Sequence, residues 1–115
     1  MKEEEVLQLQ RLRVPAGWEM VINGFLDVDV TQYEENDTIW ICFGQDIMYM
    51  KQITDGKKKS FGLDLEWRPD LDPKGQFRLN VIIDDDFLNP IETFRSRDKN
   101  KIVDKIEEYL EKLSD

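Results

Sequence analysis

The chain has no histidine and a single cysteine among its 115 residues. The first absence removes the side chain most often used as a general base and as a metal ligand. The second rules out an internal disulfide, so a reducing, cytoplasmic setting is expected. Cys42 lies within Thr38-Ile39-Trp40-Ile41-Cys42-Phe43, where the sequence predicts a small buried thiol. No apolar run approaches the roughly 20 residues of a membrane-spanning helix. Met1-Lys2-Glu3-Glu4-Glu5 has no apolar stretch of the secretory kind, so no signal peptide is expected. The chain lacks a Gly-x-Ser-x-Gly elbow, a P-loop, a dinucleotide glycine pattern and the EF-hand spacing. A non-catalytic protein without cofactor or metal is the expectation. Basic residues are also missing between Arg13 and Lys51.

What is present begins with Phe61 to Ile83. Phe61, Leu63, Leu65 and Trp67 alternate with Gly62, Asp64, Glu66 and Arg68, and Phe77, Leu79, Val81 and Ile83 alternate with Arg78, Asn80 and Ile82. A period of two gives each run one apolar and one polar face. Between them Pro69-Asp70-Leu71-Asp72-Pro73-Lys74-Gly75 is dense in turn formers, which predicts an antiparallel hairpin. Its polar face is expected to be solvated, with low carboxylate pKa values.

Residues 3–13 are predicted helical, with acids at the start, Arg11 and Arg13 at the end, and Pro15 as the stop. Alternation at Leu7, Leu9 and Val14 also allows a strand there. Trp18 to Ile22 is a predicted strand, Asn23-Gly24 a tight turn, and Phe25 to Val30 a continuation or restart of that strand. Thr38 to Phe43 and Ile47 to Ile53, separated by Gly44-Gln45-Asp46, are predicted to form a second hairpin. Lys57, Lys58 and Lys59 are expected to form a solvated loop tip rather than a contact patch, and Phe87 to Ile91 is expected to plug one end of the core. Ile102, Val103, Ile106, Tyr109, Leu110 and Leu113 form one helical stripe, with Asp98 or Ser96 as N-cap. The expected fold is therefore α+β. An antiparallel meander of about five to six strands would carry an N-terminal and a C-terminal helix on one face, in one domain spanning residues 1–115.

Acidic side chains number 25 against 16 basic ones, a net charge of −9. That argues against nucleic acid as the direct partner and leaves a basic protein partner open. Between Arg13 and Lys51 lie Glu19, Asp27, Asp29, Glu34, Glu35, Asp37 and Asp46. The candidate partner-binding residues are Asp27, Asp29, Tyr33, Glu34, Glu35 and Asp37, with Phe25 and Trp40 as further aromatics that either anchor a partner or turn inward. A second candidate is the polar face of the hairpin: Asp64, Glu66, Arg68, Arg78 and Asn80. Asp84-Asp85-Asp86 suggests a metal, but consecutive strand-end residues diverge, so a solvated end is expected. Arg95, Arg97, Lys99 and Lys101 oppose the dipole of the last helix, and neighbouring acids such as Asp84 to Asp86 are expected to neutralise them.

Three stretches carry a resemblance. They are Val14-Pro15-Ala16-Gly17-Trp18 leading to Asn23-Gly24-Phe25-Leu26-Asp27-Val28-Asp29, Leu63-Asp64-Leu65-Glu66-Trp67-Arg68-Pro69 with Asp72-Pro73-Lys74-Gly75-Gln76-Phe77-Arg78-Leu79, and Asn89-Pro90-Ile91-Glu92-Thr93-Phe94-Arg95-Ser96-Arg97. Together they resemble small acidic immunity proteins of Gram-positive bacteria, encoded beside secreted polymorphic toxins. Glu66 stands where that pattern has glycine. The resemblance implies an inhibitor that binds a basic toxin domain; the alternative is a module for a small ligand or peptide.

Overall fold

The structure is a computed structural model that describes residues 7–56 and 59–114. Its centre is a five-stranded antiparallel meander in the order β1-β2-β3-β4-β5. The strands are β1 (Trp18–Asn23), β2 (Met48–Gln52), β3 (Phe61–Arg68), β4 (Gln76–Ile83) and β5 (Glu92–Ser96), followed by the helix α1 (Lys99–Leu113). In the central hairpin Phe61 pairs with Ile83, Asp64 with Asn80 and Trp67 with Phe77. That register puts Met48, Met50, Leu63, Leu65, Trp67, Phe77, Leu79 and Val81 on one fully buried face. α1 lies against β4 and β5 and buries Ile102, Ile106, Tyr109 and Leu110 there. Asp98 caps it, its carboxylate accepting from the Asn100 amide at 2.9 Å.

Helix α1 covers only part of the apolar face. The connection between β1 and β2 supplies the rest, contributing Phe25, Val28, Val30, Ile39, Trp40 and Phe43 to the same core. Trp67 meets Phe77 edge-on at 5.0 Å and Phe43 at 4.9 Å between ring centroids, geometry that aromatic quadrupoles favour. Gly75 ends the turn into β4. A Cβ there would stand 2.5 Å from Trp67 Nε1 and 2.6 Å from the Arg68 carbonyl oxygen.

Several sequence expectations give way to packing. Residues 7–13 of the predicted N-terminal helix are not helical, and residues 3–6 lie outside the described residues. Leu9 instead bridges Leu26, with Gln10 N donating to Phe25 O at 2.7 Å and Asp27 N to Gln8 O at 2.8 Å. A helix of about ten residues is marginal in water, and here the pairing supplies backbone partners in its place. Thr38–Cys42 is a 3-10 helix, not a strand. Ile39, Trp40 and Phe43 are buried while Ile41 is 76% exposed, a helical pattern that alternation cannot produce. Cys42 is accordingly exposed rather than buried. β2 pairs with β1 and β3 instead. Phe25 to Val30 forms no strand, and Asn23-Gly24 opens the long connection rather than a hairpin. Phe87 to Ile91 does not plug the core: Leu88 is 90% exposed, and Phe87 meets Tyr49 edge-on at 4.9 Å between ring centroids. Among the described residues the sheet has five strands, of which β5 carried no clear sequence signal.

Candidate functional site

Among the described residues, no helix lies on the opposite face of the sheet. The register aligns two polar rows on it, Tyr49–Asp64–Asn80–Thr93 and Glu66–Arg78–Arg95. In the first row Asn80 is the hub. Its amide donates to Glu66 Oε2 at 2.8 Å and to Asp64 Oδ2 at 3.3 Å, and its Oδ1 accepts from the Thr93 hydroxyl at 2.8 Å. Arg68 holds the other Glu66 oxygen through Nε and lies 3.5 Å from Asp70. The sequence candidates Asp64, Glu66, Arg68 and Asn80 are thus one connected network, while Arg78 lies beside it.

This face is not the solvated surface that alternation predicts. Asp64 is 7% exposed and Asn80 3%. Tyr49 lies across Gly62, where a Cβ would meet its ring at 2.8 Å, and fully buried Ile82 lies beside that glycine. Burial pushes the Asp64 carboxyl up to about 6, with the charges of Glu66 and Asp46 adding to it and the Asn80 hydrogen bond and Arg68 opposing it. The Tyr49 hydroxyl is also raised, first by burial and then by the bond it donates to Asp85.

The acidic segment lies elsewhere, on the β1–β2 connection. Asp29 caps the 3-10 helix Val30–Gln32, accepting from the Thr31 amide at 3.0 Å and the Thr31 hydroxyl at 2.7 Å. The Thr31 hydroxyl, followed by its amide, holds the Asp29 pKa below the usual carboxylate value. Asp37 accepts from the Glu34 amide at 2.8 Å, and Trp40 Nε1 donates to the Glu34 carbonyl at 2.8 Å. Asp27 forms an ion pair with Lys99. Glu34 and Glu35 are exposed, Glu35 lying 3.7 Å from Lys74. Of the aromatics considered as anchors, Phe25 and Trp40 are interior and Tyr33 is half-buried against the core.

Asp84 to Asp86 do not neutralise the basic stripe at α1. Asp84 accepts from the Ser60 amide at 2.9 Å, Asp85 from Tyr49, and Asp86 from the Asn89 side chain. Lys99 is matched by Asp27 instead. Arg97 donates to the carbonyls of Pro73 and Gly75 and lies 5.5 Å over the Trp67 ring. Among the described residues, no three acidic or thiol groups are placed to share a metal ion, and no helix is long and apolar enough to cross a membrane. Sequence reasoning missed Tyr49, Thr93 and Arg95 as parts of the open face; the Thr-Phe-Arg alternation of β5 was the available, though short, signal. No family model, no curated protein and no solved structure matches this chain.

Proposed function

We propose that this protein is a non-catalytic acidic interaction domain of the immunity type, which binds and neutralises a basic toxin domain in the cytoplasm. The observation that carries this reading is the presentation of Glu34 and Glu35. Both are exposed on a connection held by the Asp29 cap, the Asp37–Glu34 hydrogen bond and the buried Trp40. A backbone tied down in this way loses little freedom on docking, and an overall charge of −9 steers a cationic partner toward the carboxylates it carries. Asp27, Asp29 and Asp37 serve mainly to build the platform.

The double variant E34K/E35K spares every cap. Its association rate with a basic toxin domain that the parent protein binds should fall on the order of tenfold at low salt, with the difference shrinking at high salt. An unchanged rate in the folded variant would remove the reading.

A second reading, a module for a small ligand or peptide on the open face, is favoured by one observation. Asp64 and Asn80 are buried and hydrogen-bonded on a face that no helix covers. Stabilisation by a metabolite in a thermal-shift screen would support it.

A further inference from the structure

We infer that Arg78 and Arg95, adjacent on the open face of the sheet, form a binding site for a small-molecule oxyanion, a carboxylate or a phosphate. The two residues are direct partners in the register of β4 and β5. Directly opposed side chains have Cβ atoms about 4.5–5.5 Å apart, so two cationic side chains start side by side here, and like charges in such a position are destabilising. Neither side chain makes a hydrogen bond or ion pair with any described residue, and Arg78 Nε is buried with no acceptor.

In a chain with 25 acids and 16 bases, that arrangement calls for a cause. Glu66 is the cross-strand neighbour of Arg78 and its natural counter-ion. Both Glu66 oxygens are engaged elsewhere, one by Arg68 Nε and the other by the Asn80 amide at 2.8 Å. The network that buries Asp64 and Asn80 therefore draws the nearby carboxylate away from Arg78. Two planar forks and a buried unsatisfied donor match the acceptor geometry of a carboxylate or phosphate. The protein's net charge of −9 disfavours a polyanion, so the ligand carries its oxyanion on a small molecule. The site is independent of the acidic connection, and the inference does not rest on a toxin partner.

The test is a titration of nitrogen-15-labelled protein with inorganic phosphate and, separately, acetate, at fixed pH and ionic strength, following the Arg78 and Arg95 Nε–Hε signals. A saturable shift at both arginines is expected. A response to phosphate alone assigns a phosphate-bearing ligand, and a response to acetate as well assigns a carboxylate. Arg95→Glu supplies Arg78 with an internal carboxylate, so it should abolish the saturable shift and raise the melting temperature. Arg95→Gln, which adds no new charge, should weaken the shift and serves as the second variant. A shift that never saturates with either anion, or one that survives both substitutions, overturns the inference. No protein partner is present in the assay, so its failure leaves the toxin-binding reading standing.

Discussion

Asp64 shows how far a single position can depart from its sequence context. Its neighbours in β3 alternate cleanly, yet Asp64 is buried and its pKa is raised to about 6. A carboxyl with a folded pKa above its unfolded value binds its proton more tightly in the native state. Its contribution to stability is complete below about pH 3.9 and lost as the pH rises through about 6. Asp64→Asn should therefore stabilise the protein at pH 7 by about 1–2 kcal/mol, after allowance for the solvent that still reaches the site. It should have little effect below pH 4, and urea unfolding across pH 4 to 7 checks both. A variant less stable than the parent at pH 7 would show that the ionised form is held by Asn80 and Arg68 more strongly than burial opposes it. Gly75 makes the complementary point about space. Gly75→Ala should cost about 1–3 kcal/mol, because the new methyl group overlaps Trp67 Nε1 and the Arg68 carbonyl; thermal unfolding measures it.

At the scale of elements, legibility followed periodicity. The β3–β4 hairpin and α1 were readable because eight-residue alternation and a fifteen-residue apolar stripe leave little choice of apolar face, while the cap was narrowed only to Asp98 or Ser96. β1 and β2 were readable as strands, but not their pairing, since sequence adjacency suggested Thr38–Phe43 as the partner of β2. That run has high β propensity but lies across an apolar face that α1 leaves uncovered, and burying Ile39, Trp40 and Phe43 together needs a helical turn. Asp27 and Lys99 pair across most of the chain's length, which no local pattern announces. Arg95 was seen as helix-flanking charge because β5 is short and polar, so its place beside Arg78 was hidden. Trp40 is the pin of the 3-10 segment. Trp40→Ala should cost about 3–5 kcal/mol and release the connection that carries Glu34. The loss should appear in denaturant unfolding, together with faster amide exchange over residues 30–43. Unchanged exchange there would mean that the connection is held by something other than Trp40.

For the whole molecule, the two faces of the sheet divide the work. One face is sealed by α1 and the β1–β2 connection and supplies stability. The other carries a buried polar network and two arginines whose side chains have no partner among the described residues, while Glu34 and Glu35 are exposed on the β1–β2 connection. A net charge of −9 acts on any partner approaching either region, and on the connection Glu34 and Glu35 are exposed while the Glu34 backbone is tied to Asp37 and Trp40. The measurement that tests this most directly is amide hydrogen exchange of the free protein and of its mixture with a basic toxin domain of the kind the proposed function calls for. Slowed exchange concentrated in residues 27–37 is the predicted result. Binding that protects the open sheet face and leaves 27–37 unchanged, or no protection anywhere, would contradict the account.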